Sequence, residues 1–345
     1  MLAITVDVED WYHTPSVTGS PFSRFRDVPE FFSECTERYD YLTKSTGRVL
    51  FILQQYDIRA AFFIVADVTE RYPGLVQQIV AGGHEIACHG LHHACKIHPT
   101  TKQPLVSRQE FEERTLLARK MLEKASGQIV TGYRTPAGYI AGWMIDSLEK
   151  LGFKYDSSVS VNSLFNKTDP LLHNVDSRPY SPQRGGLEPS EPREILEIPL
   201  PYSKLGIKFP TAGGPMLRFL GASYIKMGLK QSLKRGDTVF YFYPIDISYE
   251  KFPAPFSLKR PFYWMIKGKI VEKRLDTCLS GNGADALGTC MDIYQKTIKM
   301  AEKTARSGVF LRIAELIRWV IKSHKVQVSA IFACYLPTRW HTGRI

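Results

Sequence analysis

The chain has 345 residues, 44% of them hydrophobic and 23% charged, a balance that suits one large globular domain or two modest ones. No apolar run reaches the length of a membrane span, and the longest near the end, 328–336, is too short. The net charge of +11 sits wholly in the last quarter: residues 251–345 carry 17 Lys and Arg against 6 Asp and Glu, and residues 1–250 carry 28 of each sign.

The opening "MLAITVDVED" passes from an apolar run straight into acids, without the basic start and cleavage site of a signal peptide. The six cysteines, none in a C-x-x-C pair, are therefore expected as thiols in a reducing, cytoplasmic compartment. Strand-like runs follow one another at 2–8, 59–65, 84–89, 129–134, 153–159, 194–200 and 237–243. Helical spacing fills 47–58, 72–83, 107–127 and 142–152; the third opens on Ser107 and Glu110, a capping-box spacing, and ends at Gly127. Strands alternating with helices predict a parallel α/β sheet, and seven of them predict a distorted (β/α) barrel with its chemistry at the C-terminal strand ends. Residues 160–193 and 201–215 read as long loops. A barrel over 1–259 with a mostly helical, basic extension over 260–345 is the expected division.

The unusual polar residues gather at the predicted strand ends. "HEIACHGLHH" (84–93) holds four of the nine histidines, with His89 and His93 four apart. On a helical turn that spacing presents both imidazoles to one cation. Gly90 stands where a metalloprotease helix has Glu, so that class is not indicated. In "TVDVEDWYH" (5–13), alternation puts Asp7 and Glu9 on one face, with Asp10 at the strand end. Two histidines and one carboxylate form a common zinc set, and a second carboxylate can take a proton from water. Arg134, in "GYRTPAGY", can orient a carboxylate through a bidentate pair. Asp156, in "YDSS", is a further acid at a strand end. The bland readings are that the acids cap the next element, that the histidines are solvated and that the basic tail is a solvated helical face.

Taken in order, these blocks resemble the polysaccharide deacetylases of the NodB homology class (carbohydrate esterase family 4), nearest to a DUF3473-like subgroup. "TVDVEDW" resembles the opening acidic motif, "HGLHH" the H-[ST]-x-x-H metal motif, "GYRTP" the R-x-P block and "YDSS" the fourth; "LEIPLP" (196–201) and "GGPMLR" (213–218) resemble subgroup features. The resemblance implies a divalent metal, usually Zn2+, on His89, His93 and a carboxylate from Glu9 or Asp10. It implies Asp7 as general base, kept charged by Arg134, and hydrolysis of an N-acetylated saccharide. One departure stands out: in "FYFYPIDIS" Tyr243 occupies the position of the family's last histidine. A phenol, with a reference pKa near 10, is a weak proton donor to an amine; His13, His92 or His173 are the substitutes on offer, or the leaving amine takes its proton from water or Asp7. Two alternatives follow: hydrolysis of another C–N bond, in a cyclic imide or ureide, or a catalytically weak saccharide-binding homologue. The basic C-terminal region favours peripheral contact with an anionic membrane, and no nucleic-acid motif accompanies it.

Overall fold

The computed structural model describes residues 1–36, 39–164, 166–168, 172, 175–251, 266–280 and 287–304. Its frame is a parallel sheet: β1 (Leu2–Val8), β2 (Ala61–Ile64), β3 (Glu85–Cys88), β4 (Gly132–Tyr133), β5 (Tyr155–Asp156) and β6 (Leu196–Glu197) pair in sequence order. A hairpin of β7 (Tyr202–Leu205) and β8 (Ile207–Pro210) precedes β9 (Thr238–Phe242), which returns to the free edge of β1. Seven parallel strands thus curve as β9-β1-β2-β3-β4-β5-β6, an open (β/α) barrel of the expected class. A two-residue strand, β10 (Leu287–Gly288), pairs with Leu2 and Ala3 below the start of β2.

Pleat alternation sorts the side chains. Leu2, Ile4, Val6 and Val8 of β1 join Phe62, Ile64, Ile86, Tyr133, Phe240 and Phe242 in the larger core, between sheet and helices. Ala3, Ala61, Phe63, Ala87, Tyr155 and Val239 point into the barrel and close its lower end. Gly132 is needed on that inner face, since a Cβ there would lie 2.1 Å from the Tyr155 hydroxyl.

The covering helices are α1 (Val28–Glu34), α2 (Thr43–Gln55), α3 (Val68–Arg71), α4 (Leu75–Ala81), α5 (Arg108–Ser126), α6 (Gly142–Lys150), α7 (Gly214–Phe219), α8 (Gly221–Arg235) and α9 (Lys269–Leu279). The stop and start signals act where the sequence puts them. Ser107 Oγ accepts from Glu110 N, and Gly127 ends α5 in the left-handed region at φ 68°. Two expectations change. The stretch 201–215 is a hairpin running into α7, not a loop. The compact unit runs from Met1 to Tyr294, so the expected boundary after residue 259 falls inside it, and α9 and β10 are parts of the barrel. Residues 305–345 of the basic tail lie outside the described residues.

Candidate active site

His89 follows β3, and His93 returns to it through a tight bend rather than a helical turn. Gly90 makes the bend, at φ 83°, where a Cβ would also press on the Pro136 ring at 3.0 Å. The two imidazoles come to 5.0 Å between ring centroids. Each is oriented by a carbonyl, His89 Nδ1 by Arg134 O and His93 Nδ1 by His13 O, both at 2.9 Å. A carbonyl only accepts, so both Nδ1 atoms carry the proton and both Nε2 lone pairs face the barrel mouth. Ala137 N, 3.2 Å away, donates to His93 Nε2, which agrees with that tautomer. Burial, with His93 alongside, pushes His89 down to about 3, so its ring is neutral at physiological pH.

Glu9 completes a cluster in which one ligand atom from each of Glu9, His89 and His93 lies within 4.8 Å of the others. Glu9 Oε2 is 2.8 Å from His93 Nε2, is buried, and receives no hydrogen bond. Two acceptor atoms at that distance repel unless a positive charge, a proton or a metal ion, stands between them. Burial alone would push the Glu9 carboxyl up and the His93 imidazolium down. Their mutual attraction outweighs it, leaving Glu9 below and His93 above its ordinary range. The donor set and the orphaned oxygen both fit a divalent cation.

Asp7, on the same inner face, is 2% exposed. Arg134 Nη1 donates to its Oδ1 at 2.6 Å. That guanidinium is fixed by Thr5 Oγ1, Ser157 O and Ser157 Oγ at 2.8–3.0 Å, and lies 4.0 Å over the Phe63 ring. Burial still outweighs the Arg134 charge, with Glu9 adding to it, and Asp7 is pushed up to about 6. Arg134 therefore holds Asp7 in place but does not hold it low. An Asp7 poised near neutrality suits a general base.

Two expected site residues do not join the cluster, Asp10 although it lines the cavity and Asp156 because it lies outside it. Asp10 caps the following turn: its Oδ1 accepts from Trp11 N at 2.7 Å and its Oδ2 from the Tyr72 hydroxyl at 2.6 Å. Both oxygens are engaged away from the histidines, so Glu9 is the carboxylate of the cluster. Asp156 lies on the outer face of β5, opposite Glu197 of β6, and accepts from Ser158 Oγ at 2.7 Å. Ser158 in turn accepts from Thr135 N, so Asp156 braces the Arg134 segment from behind and does not reach the cavity. Tyr243 does line the cavity, edge-on to Tyr241 at 5.9 Å. Burial drives its phenol well above 10 and keeps it protonated. Of the substitute acids, His13 and His92 both bond Asp67 Oδ2, at 3.1 and 3.0 Å, and His173 lies outside the described residues.

Sequence reading passed over Thr5 and Ser157, which sit on the inner face by the same alternation that pairs Asp7 with Glu9. It also passed over Arg218, which lines the cavity and is bound to the buried Asp246 through its Nε at 2.6 Å. Asp246 Oδ2 accepts from Tyr243 N at 2.9 Å, so this ion pair fixes the backbone that carries Tyr243. The cavity holds about 620 Å3, with Tyr139 and Met216 also in its wall, room for a sugar ring and its neighbours.

Residues 35–155 match the family described as Polysaccharide deacetylase, and residues 168–286 match the domain of unknown function DUF3473. The chain is 30% identical over 115 residues to the peptidoglycan deacetylase of Helicobacter pylori, a stretch covering 33% of this chain and 37% of that protein. It is 29% identical over 109 residues to the peptidoglycan-N-acetylglucosamine deacetylase of Bacillus cereus, covering 32% of this chain and 47% of that one. The matched stretches thus span less than half of these relatives. Among solved structures, a putative polysaccharide deacetylase from Mycobacterium smegmatis superposes with a TM-score of 0.54 at 17% identity, covering 87% of this chain and 90% of that chain, a likeness of fold. The barrel and the order of its motif blocks agree with these matches: residues 35–155 are similar to the polysaccharide deacetylase family and residues 168–286 to the DUF3473 domain.

Proposed function

We propose that the protein is a metal-dependent hydrolase that removes N-acetyl groups from an amino-sugar glycan or glycolipid precursor. One observation carries this reading: Glu9, His89 and His93 converge beside an Asp7 tethered by Arg134 at the mouth of the barrel. Glu9, His89 and His93 would hold the ion, most simply Zn2+. When bound, a divalent ion supplies Lewis acidity to the acetamide carbonyl and acidifies the attacking water. Asp7 takes the proton from that water, and Arg134 keeps the Asp7 carboxyl aimed as its charge changes. The proton held by Asp7 then returns to the leaving amine, so water and amide give acetate and amine with no net change in the protein. Tyr243, locked as a phenol, serves as a hydrogen-bond donor in the wall rather than as the acid. The buried thiols of Cys88, Cys95 and Cys290 support a reducing, cytoplasmic setting. No described helix is long and apolar enough to cross a membrane, and the basic C-terminal region is the part we assign to peripheral contact with anionic lipid.

Metal analysis of the purified chain, with acetate release from N-acetylated oligosaccharides, tests the reading. About one divalent ion per chain and turnover that chelator abolishes are expected, with His93→Ala losing both. Turnover that persists without metal would sink it. Tight metal with no turnover favours the saccharide-binding reading, for which Tyr243 in place of histidine is the motivating observation; hydrolysis of a cyclic imide or ureide instead favours the other C–N specificity.

A further inference from the structure

From residue 198 to residue 236 the chain contains seven Lys and Arg and no Asp or Glu. This stretch builds the β7–β8 hairpin, α7 and α8. The hairpin turns on Gly206 at φ 77°, with Leu205 paired to Ile207 directly across it. A water-exposed turn of this kind is usually flanked by polar residues. Here Leu205 and Ile207 are 52% and 46% exposed. Leu164 joins them at 50% exposure, brought alongside by Ser163 N, which donates to Lys208 O at 2.8 Å. Lysines surround this apolar tip. Lys204 is exposed on the hairpin, and its backbone N–H donates to Gln231 Oε1 of α8 at 2.8 Å. That bond holds Gln231 against the hairpin, with the exposed Lys230 and Lys234 one and three residues from it along α8. Ser160 lines both the site cavity and a second hollow of about 540 Å3 beneath the hairpin, so the tip stands next to the route into the cavity.

We propose that the β7–β8 hairpin is a membrane-docking element that inserts Leu205, Ile207 and Leu164 into an anionic lipid surface, with Lys204, Lys230 and Lys234 on the headgroup phosphates. Three exposed aliphatic side chains carry a cost in water that shallow burial among acyl chains reverses. A basic rim is attracted to a negative leaflet; the acid packed against this region, Asp176, is paired with Arg235 at 3.0 Å at the base of the hairpin, away from Leu205 and Ile207. A protein partner with an acidic rim would also meet the lysines, but three exposed aliphatic side chains around a one-glycine turn suit shallow insertion among acyl chains better than a broad protein interface. This surface is distinct from the basic tail, and it depends on no assumption about the chemistry in the barrel.

Vesicle sedimentation of the full chain tests it, with phosphatidylglycerol–phosphatidylcholine mixtures against phosphatidylcholine alone. The unaltered chain is expected to sediment with the anionic vesicles and far less with the neutral ones. Leu205→Ser with Ile207→Ser should lower the partition coefficient at least tenfold, from lost apolar burial. Lys204→Glu with Lys230→Glu should lower it by a similar factor, and the loss in this variant should match that produced by high salt. Both variants should unfold at the parent's midpoint, since all four side chains are exposed. Partitioning of both variants equal to the parent's would assign any binding to the tail and overturn the proposal. So would a parent that ignores vesicles, or a chain whose Leu205 and Ile207 instead hold together a dimer in sedimentation equilibrium. None of these outcomes bears on metal content or acetate release, so the two readings fail separately.

Discussion

Arg134 shows how much of this site is invested in holding one carboxylate. Its guanidinium meets Asp7, Thr5, Ser157 and the face of Phe63 at once, a set that a lysine cannot match because its single ammonium lacks the planar fork. Removing the arginine leaves Asp7 buried without a counter-charge. Arg134→Ala should therefore cost about 3–5 kcal/mol in urea unfolding and abolish turnover, with Arg134→Lys recovering part of the stability and little of the rate. A loss under about 1 kcal/mol would show instead that water reaches Asp7 freely. Tyr243 is the opposite case, a residue whose chemistry falls short of its position. Its backbone is fixed by Asp246, and Asp246 by Arg218, so a histidine placed there inherits an ordered site. Tyr243→His is expected to raise kcat, since a positioned general acid is worth about 10²–10⁴-fold; an unchanged or lower kcat with metal retained would show that the leaving amine already has its donor.

Neighbouring strands explain why one acidic block of the sequence was misplaced and another was not. Alternation along β1 puts Thr5, Asp7 and Glu9 inside, and that was legible because the apolar residues 2, 4, 6 and 8 mark the other face. Around Asp156 the same parity holds, with Tyr155 and Ser157 inside, but β5 is only two residues long and gives no such pattern to count from. Asp156 instead meets Glu197 across the β5–β6 pair, both fully buried. Burial raises both carboxyls, Glu197 well above its ordinary range with Asp156 adding to the rise, so the pair keeps a proton when folded. In the unfolded chain Glu197 releases it near pH 4.3. The folded state thus binds the extra proton, and the stability this confers is complete below that pH and declines as pH rises above it. Glu197→Gln keeps a neutral group of the same shape. It should make the protein more stable than the parent at pH 8 and no more stable at pH 4, read from urea midpoints; parallel curves for parent and variant would mean that both carboxyls are ionised. The β7–β8 hairpin and α8 were illegible for another reason. Gly228 and Ser232 face inward on α8, where Gly228 admits the Thr211 side chain, and small residues in a buried stripe break the apolar period that marks a helix.

At the scale of the whole molecule, the first strand is the hub that local pattern does not reveal. β1 carries β2 on one side and β9 on the other, and β10 beneath β2, so residue 2 is in register with residues 238 and 287. Charge and rhythm made the segment after 259 look like an appendage, because its contribution to the sheet is two residues and the rest is helical. Yet α9 buries Val271, Leu275, Cys278 and Leu279 against α8 and the turn that follows Tyr243, and Cys290 and Ile293 plug the lower end of the barrel. Four side chains at about 1.5–3 kcal/mol each amount to roughly 6–12 kcal/mol, comparable with the ~5–15 kcal/mol that separates folded from unfolded domains. A chain ending at residue 260 should consequently lose cooperative unfolding and metal binding together, because the backbone behind Tyr243 and the base of β1 are both left uncovered. A chain ending at residue 304 keeps α9, β10 and the plug. It is expected to melt within a few degrees of the full protein and to bind the proposed divalent ion as the full protein does, as followed by circular dichroism and metal analysis. Cooperative melting of the 1–260 chain near the parent temperature would return the boundary to residue 259 and make the later helix an accessory.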